Sequence, residues 1–84
     1  MANLAIIKKM TGNYFEAQEL FEGVKDRAES CGLIRDQVFA YINLSDIYRE
    51  LGDKIRSNDY KNIAQELAKS LQSEYSTDND IEPI

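Results

Sequence analysis

Catalysis needs nucleophiles, bases or metal ligands at workable spacing, and this chain is poor in all three. It has no histidine and one cysteine, Cys31. Without histidine there is no His-activated nucleophile and no His-containing zinc cluster. The four glycines, Gly12, Gly23, Gly32 and Gly52, stand too far apart to form a phosphate-cradling loop. Glu16, Glu19 and Glu22 repeat at i,i+3, which is the spacing of a solvated helix face. The inventory therefore predicts no enzymatic activity, no cofactor and no metal. Cys31 rules out an internal disulfide, fits a reducing compartment, and at a helix end is expected to be a small buried hydrophobe.

What remains is recognition chemistry. Asn3 and Asn43 each offer one amide acceptor and two donors, a set that suits a peptide backbone. They stand forty residues apart, inside a longer echo. Asn3-Leu4-Ala5-Ile6-Ile7 with Gly12-Asn13 returns as Asn43-Leu44-Ser45-Asp46-Ile47 with Gly52-Asp53. The echo continues weakly as Ala17/Ser57, Glu19/Asp59 and Ala28/Ala68. A fixed period of this kind signals stacked helical units. Such units bury apolar faces against their neighbours and keep a surface for partners.

Helical spacing runs through the chain, and strand-type alternation is absent. We expect an all-α fold of four helices in two stacked antiparallel pairs. Helix one should span about Ala2 to Thr11, stopping at Gly12-Asn13. Helix two should span about Tyr14 to Ser30, with one buried stripe of Tyr14, Ala17, Leu20, Phe21, Val24 and Ala28. Gly23 within it is expected to allow a close helix contact. Helix three, about Leu33 to Leu51, carries two apolar rows and so should lie between neighbours. One row is Ile34, Val38, Tyr41, Ser45 and Tyr48; the other is Ala40, Leu44, Ile47 and Leu51. Helix four, about Lys54 to Tyr75, returns to one stripe with a polar outer face, as an end cap would. One domain is expected over 1–75, with repeats at about 1–32 and 33–75, followed by a flexible acidic tail over 76–84.

The charge of the chain narrows its partners. The net charge is −5, from ten basic and fifteen acidic residues, which speaks against nucleic acid. No apolar run approaches the roughly 18 residues of a membrane span, and no secretion signal is visible. The expected location is cytoplasmic.

The residues of both units resemble the tetratricopeptide repeat. Asn-Leu-Ala, Gly-Asn-Tyr-Phe-Glu-Ala and Leu20-Phe21 carry the likeness in the first unit. Asn43-Leu44-Ser45, Tyr48, Gly52-Asp53, Ser57, Tyr60 and Ala64 carry it in the second. The likeness covers about residues 3–71. The period of 40 is similar to the longer-helix variety seen in kinesin light chains and bacterial peptide-sensing regulators. A fourth helix and the repeated Asn-Leu motif separate it from the three-helix microtubule-interacting and transport domain.

The resemblance implies a non-catalytic module that binds a protein or an extended peptide in a concave groove on the first helix of each pair. Carried onto this sequence, the groove would be lined by Asn3, Ile6, Lys9, Phe39, Ile42, Asn43, Asp46 and Arg49. Phe39 and Ile42 would supply apolar contact, Lys9 and Arg49 a charge preference. A local helix-to-helix bond is the competing role for each Asn. The family's clamp for chaperone-tail carboxylates is disfavoured, since Ala2 and Ile6 stand where it needs Lys and Asn. Helix one also has far fewer residues before its Asn than helix three. The first repeat therefore reads as clipped, either at the C-terminal end of a longer array or in a short protein with its N-terminal edge covered by another chain. Ile6, Ile7 and Met10 then form an expected self-association edge, which makes a homodimer the second partner and an oligomerisation or end-cap role the alternative function.

Overall fold

The computed structural model describes the backbone of residues 2–81 and the side chains of residues 3–71. Four helices follow one another: α1 (Ala2–Met10), α2 (Tyr14–Cys31), α3 (Ile34–Glu50) and α4 (Lys54–Ile81). There is no strand among the described residues. The fold is all-α. Linkers of two or three residues force each helix to turn back on its predecessor, and α1 packs on α2, α2 on α3, and α3 on α4. The acidic tail expected over 76–84 lies outside the residues whose side chains are described. The helical backbone of α4 continues past Tyr75 to Ile81.

α1 and α3 end in the same way. The Asn13 amide donates to the Lys8 carbonyl at 2.8 Å, and the Asp53 amide donates to the Tyr48 carbonyl at 2.8 Å. Each closure wraps around a glycine with positive φ, 83° at Gly12 and 87° at Gly52. This is the left-handed C-cap that satisfies two orphan carbonyls, and only glycine enters it without a Cβ penalty. The forty-residue echo is thus a repetition of backbone geometry as well as of letters. Asp53 then caps α4, its carboxylate accepting the Arg56 amide at 3.1 Å.

The core lies where α1, α2 and α3 meet. Ala5, Ala17, Phe21, Leu44, Ile47 and Tyr48 form one buried cluster. Phe21, Leu44 and Ile47 are its largest enclosed side chains. Small residues at Ala5 and Ala17 let α3 sit down close, and Leu44 and Ile47 fill the seat. Burying each contributes about 1.5–3 kcal/mol. Both expected rows of α3 are used: Leu44 and Ile47 face α1 and α2, while Ser45 meets α4 through its hydrogen bonds to Ser57.

Two local expectations fail. A Cβ built on Gly23 would meet nothing within 4 Å, so no neighbouring helix needs the glycine there. Cys31 is exposed. It is the last residue of α2, and the chain turns away at Gly32 before another helix can cover it.

Candidate functional site

Three of the eight expected groove residues are tied to one another. The Lys9 ammonium donates to Asn43 Oδ1 at 2.9 Å and pairs with Asp46 Oδ2 at 3.0 Å. The Asn43 amide nitrogen in turn donates to the Phe39 carbonyl at 2.8 Å. Asn43 therefore spends one donor on its own helix and its acceptor on α1. Lys9 thus bridges α1 and α3.

The other five divide. Phe39 is half-buried and packs on Phe21, with ring centroids 5.7 Å apart. Ile6 is half-buried and packs on the core cluster. Asn3 and Arg49 are exposed, Arg49 standing 3.5 Å from Asp46. Ile42 is 49% exposed. Of the expected self-association edge, Ile6 is taken up inside the chain, while Ile7 and Met10 remain 56% and 80% exposed. Leu4, 48% exposed, joins Ile7 on that face one turn away.

Ile42, Asp46 and Arg49 also face a feature that the sequence reading did not single out. A cleft of about 420 Å³ opens between α3 and α4. Val38 and Ile42 wall it from α3, Ala64 and Ala68 from α4, and Arg49 and Lys61 stand among its lining. Its floor is Ser45 and Ser57. The Ser45 hydroxyl donates to the Ser57 carbonyl at 2.8 Å, and the two hydroxyls lie 3.2 Å apart. Their polar atoms are satisfied across the helix pair, so the floor behaves as a small, smooth surface. The repeat period held a signal for this cleft. Ser45, Ser57 and Ala68 stand forty residues after Ala5, Ala17 and Ala28.

No protein-family model, curated protein or solved structure matches this chain.

A clasp from α2 holds α3 and α4 together beside the cleft. Glu22 Oε2 accepts the Tyr48 phenol at 2.9 Å and the Tyr60 phenol at 3.4 Å, while Oε1 pairs with Lys25 at 3.0 Å. The Tyr41 phenol donates to Glu29 Oε2 at 2.6 Å. Tyr60 packs edge-on against both Tyr41 and Tyr48, at 5.3 Å in each case. Burial, then the bond to Glu29, pushes the Tyr41 phenol up to about 12. Burial, then the bond to Glu22, does the same for Tyr48, also to about 12. Burial pulls Lys25 down, but its bond and charge pairing with Glu22 outweigh that and hold the ammonium above the ordinary lysine range. One carboxylate on α2 thus touches α3 and α4 at once. Among the described residues no helix is long and apolar enough to cross a membrane.

Proposed function

We propose that this chain is a non-catalytic protein-binding module of tetratricopeptide-like repeats whose docking seat is the α3/α4 cleft. The observation that carries the reading is the cleft itself: half-exposed Ile42 beside Val38, Ala64 and Ala68, over a small floor that needs no water. Its walls are two helices from Val38 to Arg49 and from Ser57 to Ala68, which suits the apolar stripe of an incoming amphipathic helix. Helix-in-groove recognition of this kind uses anchors at i, i+3, i+4 and i+7. Arg49 and Lys61 favour acidic residues on the flanks of the incoming helix. The concave groove between α1 and α3 is less open to a ligand, because Lys9, Asn43 and Asp46 satisfy one another there.

Selection from a displayed library of short peptides tests the choice. The expected binders are amphipathic helices whose binding is lost with Ile42→Asp or Ala68→Arg and kept with Asn3→Ala. Extended binders that depend on Asn3 and Asn43 would move the site to the concave groove.

A further inference from the structure

The cleft is a repeat-related copy of a seat that is already filled within the chain. Inside the molecule, α3 sits on α1 and α2 by placing Leu44 and Ile47 against Ala5, Ala17 and Phe21. Moving forty residues forward, the same seat is Ser45, Ser57 and Lys61, which are cleft-lining residues. Moving forty residues back, the side chains that would fill it are Leu4 and Ile7, which stand about half exposed on α1. The chain carries both the empty seat and the matching helix face, at opposite ends of the stack.

The polar contacts at the rim repeat as well. Inside the chain the Lys9 cation meets Asn43. Their counterparts are Arg49 at the cleft and the exposed Asn3 of α1, again a cation facing an amide. Gln18 donates to the Tyr48 phenol at 3.2 Å within the chain. The counterparts of that pair are Asn58, which lines the cleft, and Lys8, whose ammonium also pairs with Glu16 at 2.6 Å.

We infer that the α3/α4 cleft receives α1 of a second copy of this chain, head to tail. This inference rests on the helix-accepting reading above and names its partner. The incoming Leu4 and Ile7 take the places that Leu44 and Ile47 hold internally, and Asn3 meets Arg49. The nine residues of α1 cover the half of the cleft at Ser45, Ser57 and Lys61, against the seventeen that α3 brings to its own seat. Association is therefore weak, and a heterologous contact of this kind does not close at two copies.

Sedimentation equilibrium tests it, run on the whole chain up to several hundred micromolar. The mass of the wild type is expected to rise with concentration and to pass that of a dimer. Ile7→Lys, or Leu4→Lys as a second variant of the same face, blocks the helix side. Asn58→Arg blocks the cleft side, because it sets a cation against the incoming Lys8. All three positions are exposed, so the helical circular-dichroism signal should be kept. Each variant alone is expected to be monomeric. Mixing Ile7→Lys with Asn58→Arg is expected to give a one-to-one dimer that grows no further, since the one working α1 and the one working cleft occupy each other. Adding Lys8→Glu to Asn58→Arg should restore growth. A wild type that is monomeric throughout overturns the inference, and so does a dimer that Ile7→Lys breaks but Asn58→Arg leaves intact. In either case, cleft-dependent capture of displayed helices still supports the broader reading, and its absence sinks both.

Discussion

The Tyr48 phenol donates to Glu22 across 2.9 Å and so joins the last turn of α3 to α2. Tyr60 of α4 reaches the same carboxylate oxygen. Glu22 also holds Lys25, whose ammonium stands 6.0 Å from the Tyr41 ring centroid and 5.9 Å from that of Tyr60. Three helices therefore share one acceptor, where α2 meets α3 and α4. Removing it strands two phenols and leaves the half-buried Lys25 ammonium only Asp26, at 3.5 Å. Glu22→Ala is expected to cost about 1–3 kcal/mol, the range for leaving buried polar groups unmet. Glu22→Gln keeps an acceptor and should cost less. Urea unfolding followed by circular dichroism measures both, and equal losses would show that a neutral acceptor cannot replace the negative charge.

Alkaline pH should loosen the same clasp. Tyr41 and Tyr48 ionise near 10 when unfolded and near 12 when folded. A raised folded value means that the stabilisation is complete below pH 10 and disappears as pH climbs through about 12. Lys25 shifts the same way, so its contribution is lost in the same direction. A two-unit shift corresponds to roughly 2–3 kcal/mol per tyrosine. The urea midpoint should fall steeply between pH 10 and 12, and Tyr48→Phe should flatten that fall. A midpoint that stays level across this window would contradict the buried-phenol geometry.

Leu44 is fully enclosed at the seat of α3. Leu44→Ala should cost about 2–5 kcal/mol. In so small a domain that is a large share of the total stability. Thermal unfolding checks it, and a loss of only a few tenths would place Leu44 outside the core.

Gly23 offers a gain. It lies inside α2 with open space where a Cβ would sit and no positive φ. Gly23→Ala should stabilise the domain by roughly 0.5–1 kcal/mol, because the glycine backbone loses more freedom on folding. Gly52→Ala should do the opposite by about 1–2 kcal/mol, since φ there is 87° and a Cβ is strained in the left-handed region. The pair of melting temperatures should move in opposite directions.

Asn43→Ala separates structure from recognition at the contact of Lys9 with Asn43 and Asp46. It removes the bond to the Phe39 carbonyl and the acceptor for Lys9. Both contacts are only partly buried, so the expected loss is about 1 kcal/mol with the fold retained. Binding of a helical peptide in the α3/α4 cleft should be unchanged. A large loss of affinity would return the ligand to the groove that contains Asn43.

Most of the fold was legible in the letters, because helices and their ends are written locally. Bonds between residues four apart, apolar spacing of three and four, and glycine after the last turn placed all four helices to within a residue or two, except at the far end of α4. The two rows on α3 told that it has neighbours on two sides, and the structure uses both. The forty-residue period held even the closures at Gly12 and Gly52.

The site was less legible, because exposure is a property of what lies opposite, and that is set by residues distant in sequence. Nothing in the stretch around Lys9 says that Asn43 and Asp46 will stand within 3.0 Å of its ammonium. Phe39 reads as surplus surface until Phe21 is placed beside it. Cys31 and Gly23 read as buried contacts until the adjoining helices prove to lie elsewhere. Ser45 and Ser57 read as two small core residues; only the packing of α3 against α4 makes them the floor of a cleft. Periodicity determined which face of each helix is apolar. Tertiary structure alone decided which of those faces its neighbours leave uncovered.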